Sequence, residues 1–370
     1  MTMSLSIGIV GLPNVGKSTL FNALTCARNA EAANYPFCTI EPNKAAVPVP
    51  DPRVAALAAL VKPQRAVNAV VEFVDIAGLV RGASKGEGLG NQFLGHIREC
   101  AAILHVVRCF DDENVTHVEA GTDPARDVEI IETELLLADT QSVEKRLERI
   151  TKMAKGDRVA QALRDDVAGL LDFLNEGNPA SRFAGPDSDA FRRHFREMGL
   201  ITAKKMLYCA NIDEAALASG GENAHVTALR ALAHGRGAGF VGICARIEEE
   251  LLALEGEDLA GMLRSYDIGE SGLASVIRSG YGALGLISFF TAGEKEVRAW
   301  TIHDGDTAQQ AAGVIHTDFE RGFIRAEVIS YDDYIALGSE SAARAVGHLR
   351  TEGREYTVRD GDVIHFLFNV

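Results

Sequence analysis

Gly11-Leu12-Pro13-Asn14-Val15-Gly16-Lys17-Ser18 follows the apolar run Ser6–Val10 and leads into a helical pattern from Lys17 to Cys26. The eight residues fit G-x-x-x-x-G-K-[ST], and a strand before with a helix after is the context that pattern requires. The physics behind it is simple. Gly11 and Gly16 let the backbone wrap closely around phosphate, so that successive N–H groups and the helix N-terminus face the negative charge. Lys17 is placed to reach the β- and γ-phosphates, and the Ser18 hydroxyl to ligate Mg²⁺. A nucleotide triphosphate is therefore the expected ligand, on a parallel sheet covered by helices.

Working outward, Asp75-Ile76-Ala77-Gly78 closes the apolar run Val67 to Asp75 as a D-x-x-G element. Asp75 is expected to hold a magnesium-bound water, and the Gly78 amide to sense the γ-phosphate. Glycines 82, 86, 88 and 90 follow, as in a switch loop. Between the two motifs lies Asn34 to Asn43, where Thr39 is the candidate for a second Mg²⁺ ligand. Many switch GTPases place a water-orienting Gln after the D-x-x-G glycine; here Leu79 stands there, and it has no hydrogen bond to offer. Hydrolysis then requires another group. His117 is the candidate for positioning water, and Asn14 is the candidate ligand for K⁺. His105, inside a strand pattern, is expected in the core.

A guanine-reading N-K-x-D is absent. At its place in the order stands Asn211-Ile212-Asp213-Glu214, after the strand pattern Met206 to Ala210. Ile212 replaces the Lys whose stem packs on the base, and Glu214 replaces the Asp with a carboxylate one methylene longer. Guanine donors left badly matched are costly, which argues against strict GTP preference. The same Asn and Asp residues also suit helix N-capping. Cys244-Ala245-Arg246 occupies the position of the last base-contacting loop.

Strand and helix patterns alternate over the first ~130 residues and again from Met206 to Ala245, which predicts a mostly parallel α/β sheet. Between them, Asp127 to Lys155 and Asp157 to Asn175 carry apolar residues at helical spacing, which predicts an antiparallel helical hairpin inserted into the α/β domain. After about Gly280 the pattern turns β-rich, with strands expected at Ile287 to Thr291, Val297 to Ile302, Phe323 to Ser330, Glu355 to Val358 and Val363 to Phe368. A helix from Thr307 to Ile315 sits among them. The expected domains are a discontinuous nucleotide-binding domain (1–126 and 200–283), an inserted arm (127–199) and a C-terminal module (284–370).

The 370 residues carry a net charge of −15 and are 47% hydrophobic, a globular balance. An acidic chain does not coat itself with nucleic acid by bulk attraction, so any RNA contact must be local and salt-sensitive; Lys62, Arg65, Arg81 and Lys85 are candidates. No apolar run reaches the ~20 residues of a membrane span, and Met1 to Ser4 resembles no export signal. A cytoplasmic location and a monomer are expected. The six cysteines lie far apart, without zinc-ligand spacing, and read as reduced thiols, one of them a possible redox site.

Taken in order, these stretches resemble the YchF family, the Obg-like ATPases. The match runs through GLPNVGKSTLFNALT (Gly11 to Thr25), YPFCTIEPN (Tyr35 to Asn43), DIAGLVRGASKGEGLGNQF (Asp75 to Phe93), HVVRCF (His105 to Phe110) and N-x-x-E at Asn211 and Glu214. It continues with KEVRAWTI (Lys295 to Ile302), HTDFERGFIRAE (His316 to Glu327) and RDGDVIHFLFNV (Arg359 to Val370), and so spans essentially the whole chain. The resemblance implies an Obg-type P-loop domain, a helical insertion and a C-terminal ubiquitin-like TGS domain. It implies that Asn14, Val15, Gly16, Lys17, Ser18 and Thr19 bind phosphate, that Ser18 and Thr39 bind Mg²⁺, and that Asn211, Ile212 and Glu214 contact adenine. It also implies a slow ATPase preferring ATP over GTP, associated with the ribosome and tied to translation or stress, with RNA a further candidate for the arm and TGS domain. Two other readings stay open on the residues alone: a translational GTPase reading guanine through Glu214, and a non-catalytic scaffold ordered by nucleotide. Thr116 and the Asn178 to Ser188 stretch depart from the family pattern.

Overall fold

The computed structural model describes residues 5–30, 43–76, 89–112, 121–153 and 158–369. Among these described residues, twelve strands form two six-stranded sheets. The first contains β1 (Ser6–Val10), β2 (Lys44–Pro48), β4 (Val70–Asp75), β5 (Ala102–Arg108), β6 (Lys205–Asn211) and β7 (Gly239–Ile243), in the order β2-β4-β1-β5-β6-β7. β1 pairs in parallel with both β4 and β5, β5 with β6, and β6 with β7. All seven residues of β5 are buried, as a strand covered on both faces must be. The order reverses at β1, whose two neighbours come from later in the chain. Open α/β sheets bind ligands beyond the carboxyl ends of their strands at such a switch point.

The second sheet contains β3 (Arg65–Val67), β8 (Leu286–Ala292), β9 (Glu296–His303), β10 (Phe323–Ser330), β11 (Arg350–Glu352) and β12 (Asp362–Phe368), in the order β11-β10-β12-β8-β9-β3. β8 and β9 form an antiparallel hairpin, β12 lies parallel to β8, and β10 and β12 are antiparallel. Setting β3 aside, the last strand thus lies between the first and third of the module, with the helix Ala308–Ile315 on one face, the ubiquitin-like β-grasp arrangement. Thr307 and Gln310 close a reciprocal capping box at the start of that helix.

Two departures from the sequence pattern have local causes. The run Val67 to Asp75 is not one strand: it divides at Asn68-Ala69, with β3 in one sheet and β4 in the other. Residues 46–71 pack with the C-terminal unit. β3 pairs with β9, and Arg53, on the helix Pro52–Val61, donates to both carboxylate oxygens of Asp360 at 2.7 and 3.3 Å. By contact, one compact unit takes in the described parts of Met1–Leu24, Ile40–Ala45 and Glu72–Val276, the other those of Thr25–Thr39, Ala46–Val71 and Ile277–Val370. Glu355 to Val358 is no strand either; it offers a single bridge, Thr357 to Thr307.

The inserted hairpin is present as Pro124–Met153 and Arg158–Asn175. Its helices share a core of Val143, Ile150, Leu163, Val167, Leu170 and Leu174, to which Phe191 of a third helix, Asp189–Met198, is added. Asp139, with no exposed surface, anchors its base by accepting from the Ile201 and Thr202 amides at 2.9 and 2.7 Å and from the Thr202 hydroxyl at 2.7 Å. No helix among the described residues is long and apolar enough to cross a membrane.

Candidate nucleotide site

A cavity of about 1220 Å³ opens beyond the carboxyl ends of β1, β5 and β6. Asn14, Gly16, Lys17, Ser18 and Thr19 line one part of it; Asn211, Ile212, Asp213 and Glu214 line another, with Cys244, Arg246 and Tyr266 beside them. Phosphate-loop and base-loop candidates, about two hundred residues apart in sequence, thus face one volume.

The loop owes its shape to three residues in the left-handed half of backbone space: Gly11 (φ +154°), Asn14 (φ +62°) and Gly16 (φ +97°). A methyl group on Gly11 would lie 2.4 Å from the Val106 carbonyl oxygen, so β1 and β5 could not close over it. A methyl group on Gly16 would lie 2.2 Å from Asn211 Nδ2. That close approach is functional in form: Asn211 Nδ2 donates to the Val15 carbonyl at 2.9 Å, and its Oδ1 accepts from the Ala245 amide at 3.2 Å. Asn211, 6% exposed, therefore ties the phosphate loop to the Cys244–Arg246 loop. Helix capping falls to its neighbour, since Asp213 Oδ1 accepts from the Ala216 amide at 2.9 Å.

Lys17 is 7% exposed and curls back to donate to the Leu12 carbonyl at 2.6 Å. Burial lowers its pKa to about 8, with the Asp75 charge pulling the other way. Asp75, at the end of β4, is raised by burial and drawn back by Lys17. A phosphate group brought to the loop would stabilise the ammonium form that burial disfavours. Ser18, exposed in the cavity, and Asp75 offer the hard oxygen donors that suit Mg²⁺ with phosphate oxygens completing its shell.

Ile212 lines the cavity but is only 4% exposed, with most of its side chain in the core cluster of Val107, Tyr208 and Leu229. Glu214 is exposed. His105 is buried as expected; its ring lies 5.7 Å from that of Tyr208, and burial drives its pKa down to about 3. Thr39, Gly78, Leu79, Arg81, Lys85 and His117 lie outside the described residues. Of the other basic surface candidates, Lys62 is exposed and Arg65 is paired with Glu296 at 2.5 Å. Cys100, Cys109, Cys209 and Cys244 are buried free thiols, and Cys26 is an exposed one.

Two residues that shape the cavity, Arg108 from behind its wall and Tyr266 within it, carried no signal in the spacing of the sequence. Arg108, 2% exposed at the end of β5, donates to the carbonyls of Phe110 and Asp112, each at 3.0 Å, and so shapes the Phe110–Asp112 rim. In the sequence it is one polar residue ending an apolar run. Tyr266, which donates its hydroxyl to Glu214 Oε1 at 2.8 Å, stands 52 residues further along in no recognisable motif.

A phosphate-loop motif with its glycine-shaped turn at the switch point, joined in one cavity to the candidate base loop, defines a P-loop nucleotide-binding protein of the G-domain class. The family model described as 50S ribosome-binding GTPase matches residues 6–143, and the YchF-GTPase_C model, described as a protein of unknown function, matches residues 286–369. Along its whole length the chain is 50% identical to the ribosome-binding ATPase YchF of Bacillus subtilis (strain 168), over 369 residues, with all of both chains covered. It is likewise 50% identical over 370 residues to the protein of that name from Escherichia coli O157:H7, again with full coverage. The solved structure of the Schizosaccharomyces pombe YchF GTPase superposes with a TM-score of 0.88 at 38% identity, covering 99% of this chain and 98% of that one. The chain belongs to the YchF family.

Proposed function

We propose that this chain is a slow Mg²⁺-dependent ATPase that prefers ATP over GTP, whose switch segments follow the nucleotide state and thereby govern association with the ribosome. The observation that carries the reading is the union of phosphate loop and N-x-x-E loop in one cavity, with Ile212 where a guanine-reading loop has Lys. Gly11 and the residues from Asn14 to Thr19 would cradle the phosphates, and Lys17 would neutralise charge on the β- and γ-oxygens. Ser18 and Thr39 would hold Mg²⁺, with Asp75 on one of its waters. Bound there, Mg²⁺ supplies positive charge to the phosphate oxygens. The Gly78 amide would report the γ-phosphate, and His117, or a K⁺ held near Asn14, would orient water in place of the missing Gln. Asn211, Ile212 and Glu214 would meet adenine. The curated relatives' names support ribosome association, for which the arm and C-terminal module are the proposed surfaces, with RNA as the local, salt-sensitive partner. A cytoplasmic monomer completes the reading.

Direct binding of ADP and GDP to nucleotide-free protein with Mg²⁺, side by side, tests it. A clear ADP preference is expected. A GDP preference would favour the second reading, a GTPase using the exposed Glu214 carboxylate, which the name of the Schizosaccharomyces pombe relative also suggests. A Lys17→Ala variant that keeps full ATP turnover would overturn both hydrolase readings. A His117→Ala variant at the parent rate, or equal rates in Na⁺ and K⁺, would remove those two groups from the mechanism.

A further inference from the structure

Glu214 is the cavity carboxylate that stands where a guanine-reading loop has its Asp. Guanine offers two neighbouring donors, N1–H and the N2 amine, and a carboxylate with both oxygens available takes both. Adenine offers at that edge an acceptor, N1, beside a single amine donor, so it has use for only one oxygen. In this structure the Glu214 carboxylate is already engaged: Tyr266 donates its hydroxyl to Oε1 at 2.8 Å. The tyrosine is held in place from behind. Its ring packs on the core cluster that contains Ile212 and Ala216, and its backbone follows the helix Gly256–Ser265. Asp213 fixes the other end of the contact by capping the short helix that Glu214 begins.

We propose that Tyr266 is a nucleobase-specificity residue: by occupying one oxygen of Glu214 and fixing that side chain, it leaves a single carboxylate oxygen for the base and so selects adenine over guanine. The proposal rests on the adenine reading of the N-x-x-E loop and extends it to a residue outside that loop. The residues at 214 and 266 then act together. The lengthened carboxylate at 214 supplies reach, and the hydroxyl at 266 removes the second acceptor that this reach would otherwise bring to guanine.

The test uses the full chain and the substitution Tyr266→Phe, which keeps the packing ring and deletes only the hydroxyl. Binding of ADP and GDP with Mg²⁺ is measured for both proteins by titration calorimetry. The expected result is a rise in GDP affinity of about tenfold, the worth of one recovered charge-assisted hydrogen bond. ADP affinity should stay level or fall, so that the ADP/GDP ratio drops by at least that factor. In Tyr266→Phe/Glu214→Ala the gain in GDP affinity should vanish, because the freed carboxylate is its source. A ratio unchanged within twofold overturns the proposal, as does a GDP gain that survives loss of Glu214. The outcomes separate from the reading beneath it. A parent protein that prefers GDP defeats the adenine assignment, whereas a parent that prefers ADP with an unresponsive Tyr266→Phe defeats only the role of Tyr266.

Discussion

Replacing Gly16 by Ala would cost the protein twice, and the two costs can be measured apart. The first is backbone strain: Gly16 sits at φ +97°, and an L-residue forced into that half of the map pays about 1–2 kcal/mol. The second is steric. The new methyl group would stand 2.2 Å from Asn211 Nδ2, inside any permissible contact, so the amide must leave. Its departure breaks the bonds to the Val15 carbonyl and from the Ala245 amide, at 2.9 and 3.2 Å, both in a buried setting. At about 1–1.5 kcal/mol for each buried bond, that is about 2–3 kcal/mol. Gly16→Ala should therefore lower stability by about 3–5 kcal/mol, the sum of these strain and hydrogen-bond terms. Asn211→Ala should cost about 2–3 kcal/mol, since it loses the two bonds without the strain. In the Asn211→Ala background the clash is gone, so Gly16→Ala should add only the strain of about 1–2 kcal/mol. Urea denaturation of the four proteins closes a double-mutant cycle, with an expected coupling of about 2 kcal/mol. A coupling below about 0.5 kcal/mol, the usual scatter for independent sites, would refute the claim that Asn211 and Gly16 form one mechanical unit.

Because burial holds Lys17 at a pKa of about 8, nucleotide binding at pH 8.5 should take up a proton as the phosphates restore the ammonium. Calorimetric heats in buffers of different ionisation enthalpy should then diverge at pH 8.5 and converge near pH 7; identical heats at pH 8.5 would disprove the buried, half-neutral lysine. His105 works in the opposite pH range. Its folded pKa, about 3, lies below the unfolded value, so the unfolded chain binds the extra proton and stability falls as pH drops from about 6.5 towards 3. His105→Leu should remove up to about 1.4 kcal/mol per pH unit from that slope, and an unaltered slope between pH 6 and 4 would show that other groups set it. At the base of the arm, Asp139→Ala strands the Ile201 and Thr202 amides and should cost about 2–4 kcal/mol in denaturant unfolding, from the desolvated donors it leaves; a loss under about 0.5 kcal/mol, the scale of an ordinary surface substitution, would mean that water replaces the carboxylate there.

The phosphate loop was legible in the chain because its chemistry is local. Gly11, Gly16, Lys17 and Ser18 act within eight consecutive residues, and the conformations they need depend on those residue types, so spacing alone reveals them. The parallel sheet was legible for a related reason: a strand buried on both faces, such as β5, writes itself as an unbroken apolar run. The helical hairpin showed in the 3.6-residue spacing of Val143, Leu147 and Ile150, which needs no knowledge of the partner helix.

Other features depended on residues that meet only after folding. Nothing about Val67 to Asp75 says that its first residue belongs to a different sheet from its last, because sheet membership is decided by which edge is free nearby, and β9 offers one to Arg65–Val67. Asn211 reads equally well as a helix cap or a base contact; only the fold brings its amide to Val15 and Ala245 and passes the capping task to Asp213. Tyr266 is the clearest case. A tyrosine after a helix has no distinctive spacing, and its part in the site comes from a hydrogen bond to Glu214. The sequence by itself thus determined the ligand class, through a contiguous motif whose backbone shape depends on its own residue types. The tertiary structure decided how the base end of the cavity is wired, because side-chain contacts across 52 to 196 residues of chain leave no periodic trace.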